Sequence, residues 1–363
     1  MVNTAILHIG MHKAGSTTIQ NAMQGYDDGE TAYARLGVAN HSVPLVTSFC
    51  SDPGGYHVHR RAGRSALRVS AMRAWYRRAI KNQTRCKRKN LIFSGEDLCN
   101  LKAEELRALK SFMDPYVDSY RIIGYVKDPY RFAESRVSEG LKHGAVKLNI
   151  FAPNYRERFE KFFTVFGADA VTLRRLDKFT LKGGDLLTDF YEFCAIAGPE
   201  MRFTSHSNKA LSLESCKILR RINASDHTLD GSGYSLGVHR RAWQGLSALT
   251  GRRVELDPRM VDEVVPSEDL EWLRDVSGIE FYCDAPKPSD VSNVIVDSEE
   301  LFNLDSRTLG AFDGLLAKMG MVIDPQMDID SKIRRYIAYC EAEQQLHRRF
   351  SRKIVGLLRK ALG

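Results

Sequence analysis

Apolar residues fall in two patterns along this chain. Short continuous runs (Ala5, Ile6, Leu7 and Ile9; Leu91 to Phe93; Ile122, Ile123, Tyr125 and Val126; residues 170–174) are too brief for helices and read as buried strands. Between them apolar positions recur at helical spacing. Val69, Met72, Trp75, Tyr76, Ala79 and Ile80 predict a helix over 66–81, and residues 102–112 and 154–166 predict two more. Phe132, Ala133, Val137 and Leu141 make a further helix behind Pro129, and Leu186, Leu187, Phe190, Phe193 and Ile196 make one within 184–197. Strands alternating with helices predict an α/β fold, an open parallel sheet with helices on both faces. Residues 25–53 have no sustained period and read as an irregular connection with a short helix near 32–36, continued by a basic loop over 54–61. The Ser-rich stretch 205–215 leads into a helix from about Leu213, for which Ser212 is a capping candidate.

The same pattern divides the chain. Residues 1–283 form the main domain, 284–330 a linker and acidic segment, and 331–363 a C-terminal helical extension. In that tail Ile333, Ile337, Cys340, Leu346, Phe350, Ile354, Leu357 and Leu358 share one side, with bases on the others. Such a stripe docks on its own domain or on a second copy of the chain; a basic amphipathic helix also suits peripheral contact with an anionic membrane surface.

Composition narrows the class. The 363 residues are 43% hydrophobic and 27% charged, an ordinary soluble balance, and no apolar run reaches the roughly 18 residues of a membrane span. The expected location is cytoplasmic, or at the inner membrane surface if the tail binds lipid. Seven widely spaced cysteines without a CxxC pair predict reduced thiols and no zinc site. The net charge of +8 is segregated: residues 60–89 hold twelve bases and no acid, 254–330 carry nineteen acids against five bases, and 331–363 nine bases against two acids. No zinc-finger, RNA-binding or basic-zipper signature accompanies the basic stretches, so nucleic acid is not the expected partner.

The chemistry concentrates in AILHIGMHKAGSTTIQ, residues 5–20: a strand, a glycine turn and a helix start. Backbone N–H groups of such a turn and the partial positive charge of the helix end hold an anionic phosphate or sulfate, and Lys13 adds a full charge. In a nucleotide-triphosphate loop the lysine directly follows the second glycine. Here Lys13 precedes Gly15 by two, and Ser16 stands where that lysine belongs.

With this spacing the chain resembles the sulfotransferases that use 3′-phosphoadenosine 5′-phosphosulfate (PAPS), in particular bacterial and glycan-type members. Ala14 departs from the usual Thr of their phosphosulfate loop. The resemblance extends over about residues 5–282 and implies a P-loop-type α/β sheet. It implies donor binding by His12, Lys13, Ala14, Gly15, Ser16, Thr17 and Thr18. At the strand end YVKDPYRFAES, Lys127 and Ser135 match the residues that bind the donor's 3′-phosphate, with Lys in place of the usual Arg. Asn208, Lys209 and Ser212 match an Asn-x-Ser-Leu-Ser segment lining the donor cleft, Ala210 replacing its first serine. The strand ending Ser94-Gly95-Glu96 makes Glu96 the implied base, and Lys13 the residue that stabilises the leaving phosphate. The implied reaction is in-line sulfuryl transfer to a hydroxyl of a polysaccharide or glycolipid, without a metal. The alternatives are a P-loop kinase using ATP and a catalytically silent carbohydrate- or membrane-binding relative.

Overall fold

In the computed structural model, residues 2–198, 210–225, 236–281, 294–297, 299–322, 324 and 326–361 are described, with side chains of the last helix followed to His347. In chain order the strands are β1 (Val2–His8), β2 (Thr31–Tyr33), β3 (Arg88–Ser94), β4 (Val117–Val126), β5 (Val171–Arg175), β6 (Glu255–Leu256) and β7 (Val294–Ile295). The helices are α1 (Ser16–Met23), α2 (Ser42–Phe49), α3 (His57–Arg61), α4 (Ala66–Thr84), α5 (Ala103–Met113), α6 (Pro129–Lys142), α7 (Tyr155–Phe166) and α8 (Leu186–Cys194). After them come α9 (Leu213–Ala224), α10 (Leu236–Leu246), α11 (Pro258–Asp262), α12 (Ser267–Ser277), α13 (Ser306–Lys318) and α14 (Ile329–Ala361).

Residues 1–132, 153–207 and 265–283 form one compact unit. Its heart is a five-stranded, wholly parallel sheet ordered β2-β3-β1-β4-β5. The two strands beside β1 come from well beyond it in sequence, because each parallel pairing needs a crossover. The chain runs from β2 to β3, β3 to β4 and β4 to β5 in one direction along the sheet and from β1 to β2 in the other, and parallel crossovers are right-handed as a rule. That places α4, α5 and α7 on one face and α1 on the opposite face, where it packs on α8. Ile6, Leu7, Ile92, Phe93, Ile122 and Ile123 are fully buried, each side chain contributing about 1.5–3 kcal/mol of hydrophobic stabilisation. The fold is the open parallel α/β sheet that the apolar pattern predicts.

Three local expectations differ. The helix near 32–36 is replaced by β2: Thr31, Ala32 and Tyr33 pair in register with Asn90, Leu91 and Ile92 and all three are buried, so sheet pairing overrides a weak helical preference. The loop over 54–61 contains α3, and His59 within it is fully buried, bonded through Nε2 to Thr47 Oγ1 at 2.8 Å and through Nδ1 to Arg64 Nη1 at 2.7 Å. Trp75, expected in the stripe of α4, is 55% exposed, while Val69, Tyr76 and Ile80 are buried.

Residues 133–152, 208–264 and 284–363 form the second unit. The unit boundary falls inside α6. Within this unit α9 packs on α10 and α13, and β6 pairs with β7. Residues 294–330 therefore carry a strand and a helix rather than only linker. The first half of α14 docks on α10: Ile333, Tyr336, Ile337 and Cys340 are buried, and the Tyr336 hydroxyl donates to the Ala242 carbonyl at 2.6 Å. No described helix is long and apolar enough to cross a membrane.

Candidate functional site

The crossover leaving β1 turns one way along the sheet and the one leaving β3 turns the other. Connections running in opposite directions leave the sheet on opposite faces, and the carboxyl ends of such strands are where ligands of open α/β sheets bind. The two loops at these ends are residues 9–15 and 95–97.

The first loop is pinned from both sides. Ile9 N–H donates to Ile123 O at 2.9 Å, Ala14 N–H to Met11 O at 3.2 Å, and Lys127 N–H to Met11 Sδ at 3.3 Å. Lys13 has φ 68° and Gly15 φ 82°, so two left-handed residues curl the chain before α1. Gly15 is the N-cap of α1 and has no side chain with which to cap it. Thr18 and Ile19 N–H both turn back to Gly15 O, leaving the first-turn N–H groups of Ser16 and Thr17 directed out along the helix axis. Ser16 Oγ is buried and has no hydrogen-bond partner among the described residues. It sits against Gly10, where a Cβ would come within 2.2 Å of it. A concave turn with outward N–H groups, an unsatisfied hydroxyl and a lysine has the donor set of an oxyanion site.

The second loop supplies acid–base groups. Asp97 is buried: its Oδ2 accepts from the Tyr56 hydroxyl, its Oδ1 accepts from Asn100 Nδ2 at 3.3 Å, and its N–H donates to Ser42 Oγ at 3.1 Å. His12 reaches across from the first loop, with Nε2 3.3 Å from Asp97 Oδ1 and Nδ1 3.7 Å from Glu96 Oε2. Asp97 first and Glu96 second raise His12 to about 9, against the downward push of burial. Burial pushes Asp97 up, but the bonds to His12 and Tyr56 outweigh it and hold its carboxyl below the usual range. Behind the loops, His8 Nδ1 and Ser94 Oγ are 2.7 Å apart, joining the ends of β1 and β3, and burial lowers His8 to about 3, so that imidazole is neutral.

The structure thus brings His12, Lys13, Ala14, Gly15, Ser16, Thr17, Thr18, Glu96 and Lys127 together in one unit, at the carboxyl ends of β1, β3 and β4. Ala14 is fully buried, so its missing hydroxyl is on the core side of the turn. Ser135 lies on the part of α6 that belongs to the second unit, and Ser212 belongs to that unit too. Ser212 Oγ accepts from Ser215 N–H at 3.2 Å, the N-cap of α9. Asn208 and Lys209 lie outside the described residues. Asp97 and Tyr56 are site members that the sequence pattern does not reveal: Asp97 reads as a helix-starting acid, and nothing in the spacing links Tyr56 to it. No group of three or more His, Cys, Asp or Glu side chains suited to a metal occurs among the described residues.

No protein-family model and no curated protein matches the sequence. Among solved structures the chain is similar to a sulfotransferase from Alicyclobacillus acidocaldarius, at 10% identity and a TM-score of 0.35, over 61% of this chain and 93% of that one.

Proposed function

We propose that the chain is a sulfotransferase that moves a sulfuryl group from PAPS to an acceptor hydroxyl on a glycan or glycolipid. The observation that carries the reading is the unpartnered, buried Ser16 hydroxyl beside an uncapped helix start, with a carboxylate cluster on the adjoining strand end. Anion-binding donors and a base lie side by side, as transfer between an anionic donor and a hydroxyl requires. The early position of Lys13 favours a phosphosulfate over a triphosphate.

PAPS supplies a sulfuryl group on a phosphate leaving group. The N–H groups of Ser16 and Thr17, the hydroxyls of Ser16, Thr17 and Thr18, and the ammonium of Lys13 grip the 5′ end and stabilise charge developing on the departing phosphate oxygen, an effect of several kcal/mol when preorganised. Lys127 supplies the charge for the 3′-phosphate; the lysine retains the charge of an arginine without its planar fork. Glu96 accepts the acceptor's hydroxyl proton, a role contributing about 10²- to 10⁴-fold. These residues do by position and charge what metal ions do in phosphoryl transfer, so turnover is expected to survive chelation with EDTA.

Isothermal titration tests the donor. Adenosine 3′,5′-bisphosphate is expected to bind without Mg²⁺, and Lys13→Ala to abolish transfer with the fold intact. Tight binding of MgATP with no binding of the bisphosphate would replace this reading with a P-loop kinase. Bisphosphate binding without sulfation of any acceptor in a broad glycan panel would leave a silent relative.

A further inference from the structure

Two carboxylates at the mouth of an anion site repel the ligand they serve, and a glutamate on a surface turn has three freely rotating side-chain bonds. His12 answers both problems. It belongs to the anion-binding loop, yet its ring lies between Glu96 and Asp97, 3.7 Å from one and 3.3 Å from the other. Asp97 is the fixed end of this bridge, buried and held by Tyr56, Asn100 and Ser42. Glu96 is the exposed end, its side chain 23% accessible against 7% for Asp97.

We propose that His12, as an imidazolium anchored on Asp97, is the positioning residue that holds the Glu96 carboxylate in place to take the acceptor's proton. The inference rests on the sulfotransferase reading. The two carboxylates have different duties. Glu96 takes the proton from the acceptor O–H as the acceptor oxygen bonds sulfur and the S–O bond to phosphate breaks, the electron pair leaving with the phosphate oxygen. Asp97 stays ionised and keeps a counter-charge on His12 once Glu96 has become neutral. An arrangement with Glu96 alone would lose its partner charge at that moment.

The groups facing His12 are Glu96 and Asp97 from the turn after β3, Tyr56 and His57 at the start of α3, and Lys13 beside it in the loop. Burial lowers His57, Asp97 pulls it up, and the cations Arg61, His12 and Arg60 lower it further, so the net direction is down, opposite to that of His12. His12 is therefore charged at neutral pH and gives up its proton only as pH rises through about 9. The alkaline limb of the turnover profile belongs to His12.

Two measurements test this, one without any reaction. In nuclear magnetic resonance titration of the full chain, the His12 ring is expected to titrate near 9 and to move toward the ordinary 6.5 in Asp97→Asn. Titration near 6.5 in the unaltered chain would overturn the bridge. In kinetics, His12→Asn is expected to lower kcat at least tenfold and to abolish the alkaline limb. His12→Gln serves as the second variant if the first fails to fold. Since His12 acts through Glu96, the double variant His12→Asn/Glu96→Gln should be no slower than Glu96→Gln alone. Multiplicative losses, or an alkaline limb that persists in His12→Asn, would overturn the proposal. Absence of bisphosphate binding by the unaltered chain would instead remove the sulfotransferase reading, while the ring titration still decides whether the bridge exists.

Discussion

Ser16 pays a stability cost for its place in the loop. A buried hydroxyl with no partner costs about 1–3 kcal/mol, and Ser16 Oγ is in that state in the free protein. Ser16→Ala is therefore expected to leave the urea midpoint unchanged or raise it, while weakening bisphosphate binding about tenfold; equal loss of both would mean the hydroxyl is structural. Gly15 behaves oppositely. Its φ of 82° is strained for any side chain, and a Cβ there would lie 2.3 Å from Leu186 Cδ2. Gly15→Ala should cost about 1–3 kcal/mol in the same melt and abolish binding. These residues are legible in the sequence because glycine and lysine spacing within one loop is local information. The His12–Asp97 pair is not: its members are 85 residues apart, and Tyr56 joins them from a helix whose sequence reads as a solvated basic loop.

At the level of elements, the loop leans on α8, whose first residue, Leu186, packs beside Gly15. Asp185 caps that helix, accepting from Leu187 N–H at 3.1 Å and Thr188 N–H at 2.9 Å. Asp185→Ala should lower stability by about 1 kcal/mol in denaturant titration. The start of α5 offers a pH test. Glu105 accepts from Ser51 N–H and Oγ, both at 2.6 Å, and from Lys102 N–H at 2.8 Å. Burial pushes its carboxyl up, but these bonds outweigh it and hold the group below its ordinary value. A depressed carboxyl contributes stability above its unfolded value near 4.3 and loses it as pH falls through the lower folded value. Glu105→Gln should accordingly be less stable than the unaltered chain at pH 7, with the gap closing on acidification. Four of the five central strands are readable as apolar runs. The fifth, β2, has three residues without a pattern and exists because β3 offers it a parallel edge.

For the molecule as a whole, the charged tail must be divided before its role can be tested. Up to Cys340, α14 is part of the second unit's core, and Gly245 leaves the room that the Tyr336 hydroxyl occupies. Removing residues 331–363 should cause a large loss of thermal stability, whereas ending the chain after His347, which removes only the end of α14, should spare it. Only the second truncation is a fair test of lipid contact: its co-sedimentation with phosphatidylglycerol vesicles should fall if residues 348–363 bind membrane. The apolar stripe of the tail was legible, but which part of it meets its own unit was not, because periodicity marks a buried face without naming what covers it.

One consequence of the strand order concerns time. Of the five sheet strands, the central one, with the loop 9–15 at its end, is the first to leave the ribosome, and its two neighbours follow 86 and 115 residues after its start. The loop is synthesised first and supported last. Until β4 arrives, Ile9 lacks Ile123, Met11 lacks Lys127, and an apolar strand has neither edge covered. Nascent chains in which β1 has emerged and β4 has not are the ones most exposed to aggregation and chaperone capture, and no ligand can rescue them, because the site it would bind has not been built.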